Sequence, residues 1–191
     1  GSRLYRNTGH GTFTDITAAS GAGNPGGFAV SAAFVDIDRD GWLDLYVANN
    51  VSYRTSNATV CPGPAGAPDY CPPQIYGGLP DRLYRNLGGG RFADVTARAG
   101  MGEAADKVMG VAVLDYNTDG WPDLFIGSDR VPARLYRNTG RGGFVDEGLP
   151  AGVALSEQGV ARANMGVDAA DFDRSGRPHI LVGNFVSEML G

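Results

Sequence analysis

Asp36-Ile37-Asp38-Arg39-Asp40-Gly41-Trp42-Leu43-Asp44 is the stretch whose reading decides the fold. Carboxylates stand at positions 1, 3, 5 and 9, with glycine at position 6. The pattern returns as Asp115-Tyr116-Asn117-Thr118-Asp119-Gly120-Trp121-Pro122-Asp123. A third copy reads Asp171-Phe172-Asp173-Arg174-Ser175-Gly176-Arg177-Pro178-His179. Alternate positions of a tight loop point to one side, so the side chains at 1, 3 and 5 can converge. Carboxylates held so close repel, a pair ~4 Å apart by roughly 4 kcal/mol at an effective dielectric of 20. A hard cation removes that repulsion. Calcium takes six to eight oxygens, and glycine permits the sharp turn that aims them inward. The plain alternative is a solvated acidic turn.

The expected calcium ligands of the first loop are Asp36, Asp38, Asp40, the Trp42 carbonyl and Asp44. Those of the second are Asp115, Asn117, Asp119, the Trp121 carbonyl and Asp123. In the third, Asp171, Asp173, Ser175 and the Arg177 carbonyl remain, and we expect weak calcium binding there or none. His179 replaces the closing acid, and we read it as a surface or packed histidine ahead of a transition-metal ligand. An EF-hand is excluded, because it requires glutamate at position 12 and flanking helices. Position 12 here is Val47, Ile126 and Val182. Each loop runs instead into a short apolar segment, such as Leu45-Tyr46-Val47 or Leu124-Phe125-Ile126, that reads as a buried strand.

A second motif repeats in step with the loops. Leu4-Tyr5-Arg6-Asn7 recurs as Leu83-Tyr84-Arg85-Asn86 and Leu135-Tyr136-Arg137-Asn138. Each copy continues through a glycine turn to Phe13, Phe92 or Phe144, a hairpin signature. The spacing from Leu4 to Asp36 and from Leu83 to Asp115 is 32 residues in both cases. Each unit therefore offers four short strands: into the loop, out of it, Leu-Tyr-Arg-Asn, and Phe-x-Asp. Four-stranded sheets repeated about every 50 residues are the blades of a β-propeller.

These loops and hairpins, with Phe28-Ala29-Val30, Met109-Gly110-Val111 and Met165-Gly166-Val167 ahead of the loops, resemble the FG-GAP or VCBS repeats of integrin α-subunit propellers. They resemble still more the secreted bacterial proteins akin to cartilage acidic protein. The resemblance covers nearly the whole chain. It implies an all-β, calcium-stabilised extracellular propeller used for adhesion or recognition of a protein or glycan, and it supplies no ligand. We expect one domain over 1–191, a partial propeller. It consists of a half blade 3–20, a blade 28–100 with an inserted loop 49–80, a blade 108–150 and a half blade 164–188. Such a set does not close an ordinary ring. A piece of a larger propeller is the favoured reading, ahead of mutual completion of the two halves or of edge pairing between copies.

The insert carries both cysteines, Cys61 and Cys71. Two cysteines ten apart in an extracellular-looking chain suggest one local disulfide, and its prolines suggest a long loop without regular structure. Asn57-Ala58-Thr59 fits a glycosylation acceptor. The arginines of Leu-Tyr-Arg-Asn are expected to pair with nearby aspartates, and Trp42 and Trp121 to cover the metal. Asn49-Asn50, Ser128-Asp129 and Asn184-Phe185, which follow the second strand of each unit, are candidate contact points.

Composition limits the alternatives. A chain of 191 residues, 42% of them hydrophobic, can build a sizeable core. A net charge of −5 and a single lysine, Lys107, argue against a nucleic-acid partner. No apolar run approaches a membrane span. A polysaccharide-active enzyme finds little support: the histidines are His10 and His179, and no nucleophile elbow appears. Glu103, Asp106 and Glu147 are the acids left for a cleft. A lectin without catalysis is the other alternative.

Overall fold

The computed structural model describes residues 1–63, 66–102 and 104–185. Glu103 and positions 186–188 of the last half unit lie outside the described residues, as does the side chain of Asn57. The chain forms four antiparallel sheets that stack face to face, with a small ladder in the insert. A hairpin comes first, β1 (Tyr5–Asn7) with β2 (Phe13–Asp15), followed by a single helical turn at Thr17–Ser20. The first complete sheet joins β3 (Ala29–Val35), β4 (Asp44–Asn49), β7 (Arg82–Asn86) and β8 (Phe92–Asp94) in that order. The insert between β4 and β7 contributes β5 (Cys61–Pro62) and β6 (Pro68–Asp69).

The second complete sheet joins β9 (Val108–Leu114), β10 (Asp123–Ser128), β11 (Arg134–Asn138) and β12 (Phe144–Asp146) in the same order. A final pair, β13 (Gly166–Ala170) with β14 (His179–Gly183), stands alone. The two complete sheets share one register: Leu45 faces Tyr84 and Tyr46 faces Leu83, as Leu124 faces Tyr136 and Phe125 faces Leu135.

Stacking explains why the strands leaving the loops are apolar on both faces. Side chains alternate across a strand. In β4, Tyr46 and Ala48 enter the core between the complete sheets, while Leu45 and Val47 face the first hairpin. In β10, Leu124 and Ile126 enter that same core, and Phe125 packs towards β13 and β14. Every residue of β4 and β10 is buried. In β14, covered on fewer sides, Leu181 is 72% exposed. The Leu-Tyr-Arg-Asn pairs divide the same way. Leu83 and Tyr136 meet in the shared core, and Tyr84 and Leu135 fill the outer two.

The expected disulfide joins Cys61 to Cys71, with Cα atoms 5.0 Å apart. The insert is not free of regular structure, as the prolines suggested. Cys61 pairs with Asp69 and Pro62 with Pro68, and single 3-10 turns sit at Thr55–Asn57 and Pro73–Ile75. A two-residue ladder needs few donors, so proline tolerates it at this edge.

Candidate metal centre

All three loops share one backbone. Position 4 is left-handed in each, with φ of 58° at Arg39, 59° at Thr118 and 60° at Arg174. Position 6 is left-handed too, at Gly41, Gly120 and Gly176. A Cβ on Gly41 would meet nothing within 4 Å, so glycine is there for its φ and not for space. The two inversions turn successive N–H groups towards the first aspartate. Asp36 accepts from the N–H of Asp40 at 3.1 Å and of Gly41 at 2.9 Å. Asp115 accepts from Asp119 and Gly120, and Asp171 from Ser175 and Gly176, at 2.8 to 3.1 Å.

In the first loop Asp36, Asp38 and Asp40 each bring a carboxylate oxygen within 4.8 Å of the others. Asp38 Oδ1 is shut off from solvent without a hydrogen-bond partner. The other Asp38 oxygen and Asp40 are held by Arg85, at 2.6 and 3.2 Å. A lone guanidinium leaves the three acids under-compensated. The donors are all oxygen and one is orphaned, so the set fits a hard divalent cation. The second loop repeats the turn with an amide in the middle: Asn117 Nδ2 donates to Asp119 at 2.8 Å. Here Arg137 goes to Glu147 at 2.6 Å, so the expected pairing with an aspartate holds for Arg85 and not for Arg137.

The ninth position does more than spacing revealed. Asp44 is fully buried and accepts from the N–H of Ile37 at 2.9 Å and of Asn86 at 2.7 Å. Asp123 is fully buried and accepts from Tyr116 at 3.2 Å and Asn138 at 2.7 Å. Each carboxylate thus ties its loop to the Leu-Tyr-Arg-Asn strand of its own sheet. Burial raises both groups above the usual range against those N–H donors, Asp123 to about 6. The asparagines are the residues sequence reasoning missed. Asn138 Nδ2 also donates to the Ile37 carbonyl of the neighbouring loop at 2.8 Å, and its Oδ1 opens the glycine turn by accepting from Gly140. Their fixed offset behind Leu-Tyr-Arg was the available signal.

The third loop differs. Among the described residues β14 pairs with β13, and position 9 is His179 in place of an acid. The His179 ring lies with Asp171 and Asp173, their ligand atoms within 4.8 Å of one another. Ser175 Oγ accepts from the Arg177 N–H at 3.3 Å.

Two further expectations are corrected. Trp42 is 55% exposed and is not a packed cover; Trp121 is half-buried beneath the Arg39 guanidinium, 5.3 Å from its ring. Asn49, Asn50, Ser128 and Asp129 are buried and cannot be contact points. Asn49 donates to the Pro80 carbonyl within its own unit, and Asn50 to that of Val108, which ties the first sheet to the second. Phe185 does stay exposed, beside a half-buried Asn184. Among the described residues no catalytic constellation is present. Asp106 pairs with Arg134, Glu147 with Arg137 and the Tyr116 hydroxyl, and His10 stands in an exposed turn. No described helix is long and apolar enough to cross a membrane.

Comparison with known proteins adds kinship to this geometry. Cartilage acidic protein 1 of Mus musculus is 33% identical over 105 residues, which are 55% of this chain and 16% of that protein. The Homo sapiens protein is 33% identical over 105 residues, 15% of its length, and that of Xenopus tropicalis 30% over 105 residues, 16% of its length. The matched segment thus spans under one fifth of these relatives. They are vertebrate proteins, whereas the sequence reading pointed to bacterial ones. The FG-GAP-like repeat family matches residues 1–47, 75–126 and 115–182, each match holding one of the loops or the strands that clasp it. With most of its length, and all three aspartate loops, inside those matches, the chain belongs to the FG-GAP-like repeat family.

Proposed function

We propose that the chain is a calcium-binding, non-catalytic recognition module outside the cell, built as successive blades of a β-propeller. The observation that carries the reading is the first loop: three converging carboxylates and a buried, unpartnered Asp38 oxygen. Calcium would be held by Asp36, Asp38, Asp40, the Trp42 carbonyl and Asp44. In the second loop it would be held by Asp115, Asn117, Asp119, the Trp121 carbonyl and Asp123. Bound there, the ion would supply the positive charge that the acids lack. The residues themselves do the mechanical work, because Asp44 and Asp123 fasten each loop to the third strand of its sheet. Face-to-face stacking of four-stranded sheets with β3, β9 and β13 in successive contact supports the propeller. Half blades 3–20 and 164–188 flank blades 28–100 and 108–150 in this arrangement. An extracellular site is supported by the Cys61–Cys71 bond and by the tissue in the relatives' name.

The recognition surface is best sought on the insert. Residues 48–74 lie outside the family matches. They and their neighbours line a hollow of about 730 Å³ with Phe28, Tyr53, Tyr70 and Tyr76. Tyr53 stands edge-on to both Phe28 and Tyr76, at 6.5 and 5.4 Å. Rigid aromatic walls with hydroxyl tips suit a protein loop or a glycan ring. A glycan and peptide array probed with and without calcium tests this. Binding that survives in Tyr53→Ala and Tyr76→Ala would move the surface elsewhere. A melting temperature unchanged by excess chelator would reject the role given to the aspartates.

A further inference from the structure

The third loop keeps the shape of the others and changes its chemistry. Its Asp171 accepts the same two N–H groups, and Arg174 and Gly176 hold the same left-handed turns. Yet position 9 is an imidazole, where Asp44 and Asp123 of the sister loops are carboxylates that accept from the third strand of their sheets. Phe172 lies beside the His179 ring, with centroids 4.5 Å apart and the planes tilted by 50°. His179 Nε2 lies 3.7 Å from Asp173 Oδ2, too far for a hydrogen bond. Nδ1 is shut off from solvent without a partner, so the protein fixes neither nitrogen. With metal–ligand bonds of 2.0–2.2 Å, two ligand atoms of a tetrahedral site stand about 3.4 Å apart. The separation seen is close to that edge, with Asp171 on the third corner within 4.8 Å.

Calcium takes oxygen donors, whereas imidazole suits zinc, copper, iron, cobalt and nickel. The geometry points to the third loop as a site for a borderline divalent metal such as Zn²⁺ or Co²⁺, held by Asp171, Asp173 and the His179 imidazole, in place of the calcium of its sister loops. Both acids are exposed, so water completes the shell. One chain then carries two kinds of metal loop on one backbone design, distinguished by the residue at position 9.

The test titrates chelator-stripped protein with Co²⁺ alone, followed by visible absorption, and then with Zn²⁺ or Ca²⁺ as competitor. Wild type and His10→Ala are expected to show one Co²⁺ site, displaced by Zn²⁺ and untouched by a hundredfold excess of Ca²⁺. His179→Ala and the bulkier His179→Gln should each weaken Co²⁺ binding by a factor of about 100 or more, since even second-layer partners of a metal ligand are worth 10- to 100-fold. His179→Asp should let Ca²⁺ displace Co²⁺. Calcium heats at the first two loops, retained in all four variants, report an intact fold and are read separately, so loss of the calcium reading does not mask this one. An unchanged Co²⁺ spectrum in His179→Ala and His179→Gln, or displacement from wild type by Ca²⁺, overturns the assignment.

Discussion

The second loop and the third have the same hydrogen-bonded turn, and they differ in what the ninth residue touches. Asp123 is buried and joins its loop to β11 through the Asn138 N–H. His179 Nε2 instead faces Asp173 Oδ2 across 3.7 Å, and its side chain is 40% exposed. The turn is thus a property of nine residues, whereas the clasp is a property of a four-stranded sheet. The largest expected effect exploits this. Asp123→Ala strands the N–H groups of Tyr116 and Asn138 in the interior and should cost about 4 kcal/mol, at 1–3 kcal/mol per unsatisfied buried group. His179→Ala should cost less than about 1 kcal/mol, as exposed positions generally do. Denaturant unfolding of both variants makes the comparison; equal losses would break it.

Coverage gives the next contrast. Leu135 is 1% exposed between two sheets, while Leu4 of the repeated motif is only half-buried. Leu135→Ala should cost about 3 kcal/mol and Leu4→Ala about 1 kcal/mol, because cavity cost follows burial. The first sheet also differs from the second in its connection, 50–81 against the short 129–133. Replacing Cys61 and Cys71 by serine should cost about 3 kcal/mol in the chain-entropy picture. Reductant should reproduce the loss, and a variant as stable as wild type would show that the insert unfolds apart from the sheets.

A smaller difference lies inside the shared core. In the first sheet the Tyr46 hydroxyl and the Asn49 N–H both donate to buried Asp81, where the second sheet has Phe125 and Ala133. Burial pushes the Asp81 carboxyl up to about 7, from 3.8. Its contribution is therefore full below about pH 4 and is lost as pH rises through 7. Between pH 5 and 7, wild type should lose about 2 kcal/mol relative to Asp81→Asn. Parallel stability curves for the two proteins would show that Asp81 keeps its charge in the fold.

The loops, the paired hairpins and the disulfide were legible in the sequence because each is written in residues close together. What lay hidden depends on distant neighbours. The left-handed position 4 is held by Arg39, Thr118 and Arg174, residues that carry no signature for it. Asn49-Asn50 and Ser128-Asp129 looked like polar loop tips, yet the next sheet covers them, and stacking is invisible to local composition. The disulfide-linked ladder escaped notice because proline argues against strands in general and not against a two-residue edge pair.

The most direct test is a calorimetric calcium titration of chelator-stripped protein, paired with its thermal unfolding. The account predicts two calcium ions per chain, one after Asp38→Ala and one after Asp115→Ala. It also predicts a rise in stability of about 4 kcal/mol per site, about 8 kcal/mol for both, when free calcium reaches a thousand times Kd. A protein that takes up no calcium, or melts at the same temperature with calcium and with chelator, would contradict it.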